Sequence, residues 1–144
     1  MRKSIRNSAI ATFVVGGFAL TLATPAEAVE TRNFAVAVYS GGQLRGQVYG
    51  VVNWTNGYGF NIPHAFLRDD SCDGYTVHFE LYMNSNWPGG VRENRSGCNT
   101  TKIFNDIAAS SQYTSIRYVR IKVCRNEWVD TCTTKYYYNP YVRV

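Results

Sequence analysis

Apolar and polar residues alternate with a period of two over much of the chain, which is the pattern of strands buried on one face. In Tyr75 to Tyr82, the residues Tyr75, Val77, Phe79 and Leu81 share one side, and Thr76, His78, Glu80 and Tyr82 share the other. Similar runs cover Phe34 to Tyr39, Gln47 to Thr55, Tyr58 to Leu67, Thr101 to Ile107, Ser115 to Arg125 and Thr133 to Tyr138. Gly41-Gly42, Asn56-Gly57, Asp73-Gly74 and Pro88-Gly89-Gly90 punctuate them with turn chemistry. Pro63 inside the third run predicts an edge strand or a bulge. Asn105 to Gln112 allows a single helical turn. About seven short strands predict an all-β fold, an antiparallel β-sandwich with two sheets burying their apolar faces. A small closed barrel is the alternative.

The first 28 residues depart from this pattern. Arg2, Lys3 and Arg6 precede an apolar stretch from Ala9 to Ala23, and Ala26-Glu27-Ala28 offers small residues around a cleavage point. That is the order of parts in a secretory signal peptide. The stretch is shorter than the ~20 residues a spanning helix needs, and Gly16-Gly17 interrupts it. Residues 1-28 are therefore expected to be removed. Residues 29-144 are expected to form one secreted, extracellular domain with no membrane attachment. Cleavage also lowers the formal charge from +5 to +3, leaving twelve Lys and Arg against nine Asp and Glu. A mildly basic chain without a zinc-finger, RNA-recognition or helix-turn-helix pattern does not predict nucleic-acid binding.

Export changes the reading of the four cysteines, because oxidising compartments favour disulfides. Cys72, Cys98, Cys124 and Cys132 allow three pairings. Cys72 with Cys98 and Cys124 with Cys132 is favoured, since each pair closes a local loop. A zinc site is not expected without a Cys-x-x-Cys pair and with only two histidines. If Cys124 and Cys132 lie opposite one another, Lys122 faces Thr134, Arg120 faces Tyr136 and Tyr118 faces Tyr138. Val119, Ile121 and Val123 then point to the core. The same register turns Lys135 inward, a conflict that a bulge would relieve.

An export signal, a strand entered by Asp73-Gly74, a late strand ending at Val123-Cys124, then Cys132 and the closing Asn139-Pro140-Tyr141 together resemble small secreted β-sandwich proteins of actinobacteria. The resemblance implies a secreted sandwich and no catalytic residue.

Candidate chemistry is sparse. Asp69, Ser71, Asp73, Gly74 and Glu80 match the spacing of an EF-hand calcium loop. On an extended strand, however, Glu80 would lie roughly 20 Å beyond Asp73. Asp69, Asp70 and Asp73 leave a looser calcium site open. No cofactor or metal is expected. His64 and His78 could serve a small hydrolase as general bases, yet no nucleophile elbow, zinc-protease motif or phosphate loop accompanies them. Glycosidase-type carboxylate pairs can be drawn from several of the acids, but spacing along the chain places none of them at the needed separation.

Aromatic content is the stronger signal. Beyond residue 28 lie 11 Tyr, 3 Trp and 5 Phe. Trp54 reads as core. Trp87, Trp128, Tyr118, Arg120, Tyr136 and Tyr138 are the candidate ligand-binding residues, because flat rings with polar tips suit sugars and protein partners alike. An extracellular glycan or a protein is thus the expected partner, with the oligomeric state open. A binding module leads, followed by a secreted inhibitor presenting the Cys124-Cys132 loop and then by a small hydrolase.

Overall fold

The computed structural model describes residues 28–143 except Asn86, with the Trp87 side chain also outside the description. The expected signal segment, residues 1-28, therefore lies outside the described residues but for its last. Eight strands form: β1 Glu30–Ser40, β2 Gln43–Asn56, β3 Gly59–Asp69, β4 Val77–Met83, β5 Trp87–Asn94, β6 Thr101–Ser110, β7 Tyr118–Arg125 and β8 Thr131–Tyr138. They make two four-stranded sheets, ordered β1-β2-β3-β6 and β5-β4-β7-β8. Every neighbouring pair is antiparallel. The sandwich predicted from alternation is the fold observed.

Alternation explains the core directly. Val36, Val38, Val48, Trp54, Ile62 and Leu67 of one sheet face Val77, Phe79, Leu81, Val119, Ile121 and Val123 of the other, all buried. Each such aliphatic side chain contributes roughly 1.5–3 kcal/mol of transfer free energy. Close approach also depends on Gly50, where an added Cβ would lie 2.5 Å from the His64 carbonyl oxygen and 2.8 Å from the Phe34 ring.

Three local expectations are corrected. The count is eight strands rather than seven, because Pro88-Gly89-Gly90 lies within β5 instead of forming a turn. This is an edge strand, where Pro is tolerated, and its pairing with β4 shifts register between Glu80 and Tyr82. A Cβ on Gly89 would sit 2.6 Å from the Leu81 side chain. Pro63 lies in an interior strand, so the edge alternative fails and the bulge holds. The β2–β3 register shifts between Gly50 and Asn53, and the β3–β6 ladder passes over Pro63. Asn105 to Ser110 continues β6 rather than turning helical, because pairing with β3 from His64 back to Gly59 overrides local propensity.

Both favoured disulfides are present. Cys72–Cys98 joins the β3–β4 loop to the β5–β6 loop, and Cys124–Cys132 spans β7 and β8. Cys124 and Cys132 are directly opposite, and Lys122↔Thr134, Arg120↔Tyr136 and Tyr118↔Tyr138 follow in unbroken register. No bulge rescues Lys135. Because β8 is an edge strand, Lys135 instead reaches out of the sandwich flank, and its Nζ donates to the Ala35 carbonyl at 3.0 Å. The Tyr137 hydroxyl accepts from the Ala35 amide at 3.1 Å and donates to the same carbonyl at 3.2 Å. These two side chains satisfy backbone groups on the free edge of β1, which discourages pairing with another chain there.

Candidate binding face

The outer face of the second sheet is built by the polar halves of the same alternating strands. Pairing aligns them in rows across the sheet: Glu80, Lys122 and Thr134 in one, then Tyr82, Arg120 and Tyr136 in the next. Tyr118 and Tyr138 form the following row. Cross-strand neighbours at this spacing touch, so residues distant in sequence become one surface.

Aromatic and cationic groups dominate the lower rows. Arg120 lies over the Tyr82 ring, its Cζ 4.1 Å from the centroid. Tyr118 meets Tyr136 edge to face at 5.3 Å and Tyr138 at 5.8 Å. Ser85 Oγ stands 3.4 Å from the Tyr118 hydroxyl. Tyr136 and Tyr138 remain 47% and 57% exposed, so their rings are available to a ligand. Around the β8 edge the face continues into a cleft of about 410 Å3 lined by Arg32, Asn33 and the segment from Tyr136 to Pro140.

Glu80 balances the charge of the upper row. Lys122 Nζ donates to Glu80 Oε1 at 3.1 Å, the Tyr82 hydroxyl donates to Oε2, and His78 Nε2 lies 3.4 Å away. Burial alone would raise the Glu80 carboxyl, but the Tyr82 hydroxyl, Lys122 and His78 outweigh it and hold it below its ordinary value of 4.5. The hydrogen bond to Glu80, followed by burial, raises the Tyr82 phenol. A carboxyl depressed by folding contributes stability that is complete above its unfolded value and is lost as pH falls through the folded one. Urea unfolding followed from pH 5 to pH 3 is therefore expected to show a steeper loss in the wild type than in Glu80→Gln. Parallel curves would show that Glu80 adds nothing to acid sensitivity.

The other sequence candidates are dispersed. Trp128 is wholly exposed, but it sits in the β7–β8 loop beyond the disulfide. Cys124 lies six positions along β7 from Tyr118, about 20 Å, so Trp128 does not join the tyrosines. Trp87 opens β5 opposite Met83, at the tyrosine end of the sheet. Trp54 is core, as expected. Sequence reasoning passed over Tyr82 and Arg32. Tyr82 was within reach, since it shares the polar side of β4 with His78 and Glu80.

The acidic residues with EF-hand spacing do not converge on a cage. Asp73 pairs with Arg125 at 2.6 Å and Arg45 at 3.4 Å, and Asp70 pairs with Arg68 at 2.6 Å. Asp69 is buried, which raises its carboxyl, and it accepts from the Ser71 amide. His78, Glu80 and Cys124 place ligand-type atoms within 4.8 Å of one another. The Cys124 sulfur is consumed by its disulfide and Lys122 occupies Glu80, so this trio is a poor metal set. His64 Nδ1 lies 2.8 Å from Asn105 Oδ1. Among the described residues, neither histidine is hydrogen-bonded to a serine, threonine or free thiol.

No family model and no curated protein matches the chain. Among solved structures it is similar to the variable domain of the Streptococcus agalactiae AgI/II polypeptide BspA. That match has 8% identity and a TM-score of 0.40, covering 79% of this chain and 80% of the other. A likeness at that level carries nothing about ligand.

Proposed function

We propose that the protein is a small secreted, non-catalytic binding module that holds an extracellular carbohydrate or cell-wall surface through its tyrosine face. The observation that carries this reading is the row alignment that gathers Tyr82, Tyr118, Arg120, Tyr136 and Tyr138 on one open surface. Tyrosine suits such a role because its ring buries apolar area while the hydroxyl stays hydrogen-bonded to water or ligand. Two disulfides among the described residues support an oxidising, extracytoplasmic setting.

A second reading rests on Trp128. A fully exposed tryptophan on a loop closed by Cys124–Cys132 is suited to insertion into a partner protein, as an inhibitor or protein ligand.

Retention on insoluble chitin, cellulose and peptidoglycan separates the two. The double variant Tyr136→Ala/Tyr138→Ala is expected to weaken retention at least ~10-fold, the size of one or two aromatic anchors, with unchanged thermal unfolding. Retention that survives this change and disappears in Trp128→Ala would move the function to the loop. No retention on any glycan tested would sink the carbohydrate reading.

A further inference from the structure

The cations of the domain are unevenly matched. Lys122 is paired with Glu80, Arg125 with Asp73 and Glu127, Arg95 with Glu93, and Arg68 with Asp70. Arg120 forms no ion pair and its terminal Nη groups make no hydrogen bond among the described residues; its guanidinium lies over the Tyr82 ring with its Nε covered. The uncovered Nη groups of a guanidinium without a carboxylate partner suit charge-assisted bonds to an oxyanion. The nearest carboxylate on the face, Glu80, already holds Lys122 and the Tyr82 hydroxyl. The adjoining cleft is lined by Arg32 and by no acidic residue.

We infer that this face takes an acidic glycan, a sugar chain bearing carboxylate, sulfate or phosphate, with Arg120 receiving the anionic oxygens and the chain continuing into the cleft beside Arg32. The inference rests on the carbohydrate reading above and names its ligand class. Rings of Tyr118, Tyr136 and Tyr138 supply the apolar contact and Arg120 supplies the choice of charge. The edge-to-face angles of 72° and 66° at Tyr118 do not present a run of parallel rings for successive nucleic-acid bases.

The test compares matched polymers that differ only in charge. Polygalacturonate against its methyl ester varies the carboxylate, and dextran sulfate against dextran varies the sulfate. Titration calorimetry at about 0.15 M salt keeps surface charges screened. Wild-type protein is expected to bind the charged member of at least one pair 10-fold or more tightly than its neutral counterpart. Arg120→Gln should reduce that preference about 10-fold, the weight of one charge-assisted hydrogen bond. Arg120→Lys should recover part of it, because a point charge lacks the fork. Lys102→Gln, which removes a charge from the other sheet, should leave the preference intact.

Equal affinity within both pairs, with Tyr136→Ala/Tyr138→Ala still abolishing binding, would overturn the acidic class while the carbohydrate reading stands. Binding insensitive to the tyrosines would defeat that reading itself. Equally tight binding of oligothymidine with the same dependence on Arg120 would overturn the glycan assignment, as would failure to bind either charged polymer.

Discussion

Cys72→Ala/Cys98→Ala is expected to lower the unfolding free energy by about 3.5 kcal/mol, because the bridge closes a loop with a sequence separation of 26 and so removes denatured-chain entropy. For a domain of this size that corresponds to a fall of about 14 °C in Tm. The Cys124–Cys132 bridge has a separation of only 8, and its removal is expected to cost about 2.5 kcal/mol by the same relation. The two bridges also differ in what they tie together. Cys72–Cys98 links loops at which the chain passes from one sheet to the other, whereas Cys124–Cys132 joins strands already paired. Urea unfolding of the two double variants measures the order. A larger loss for the shorter loop would show that native-state contacts, not chain entropy, set the contribution of these bridges.

Trp54→Ala is expected to cost about 3–5 kcal/mol, the range for deleting a buried aromatic side chain. Trp54 has no exposed surface and packs on Phe60, with ring centroids 5.5 Å apart. Its indole Nε1 has no hydrogen-bond partner, which makes the residue informative in a second way. Trp54→Phe leaves a smaller void and also removes the orphaned donor, so two effects of opposite sign compete. The loss is expected to be about 1–2 kcal/mol, well below that for alanine. Guanidinium denaturation of both variants decides the matter. Both variants lack the N–H, so the difference between them reports the extra volume deleted; a loss for Trp54→Phe as large as that for Trp54→Ala would overturn the expectation that cavity size sets the cost.

Neither Trp54 nor the Cys72–Cys98 bridge lies on the outer face of the second sheet, so stability and binding are separable at these positions. Variants at Trp54 and at Cys72–Cys98 should move Tm with ligand preference retained in whatever fraction stays folded. Variants at Tyr136, Tyr138 and Arg120 should do the reverse.

How much of this was readable from the chain depends on the range of the interaction involved. Alternation is local, so the sandwich, the burial of Trp54 and the inward Val119, Ile121 and Val123 follow from period two alone. Cysteine positions extended that reach by one step. Placing Cys124 opposite Cys132 determined the whole β7–β8 register, and with it the meeting of Arg120 with Tyr136 and of Tyr118 with Tyr138. Local composition misled where tertiary pairing opposed it. Pro88-Gly89-Gly90 has turn chemistry yet lies in β5, because an edge strand tolerates a residue without an N–H. Asn105 to Ser110 has no strong strand signature yet pairs along β3.

Periodicity and cysteine placement specify the fold class, the disulfide-set hairpin and the identity of most of the tyrosine face. Which groups on that face remain free depends on how the strands pack side by side. Tyr82 lies beneath Arg120 because β4 pairs with β7, a contact between residues far apart along the chain. Lys122 is taken by Glu80 and Arg125 by Asp73 through the same non-local neighbours, while Lys135 escapes the core by crossing to β1. Periodicity states which side of a strand a residue occupies. It does not state which strand lies alongside, and the partners of each charge are set by that adjacency.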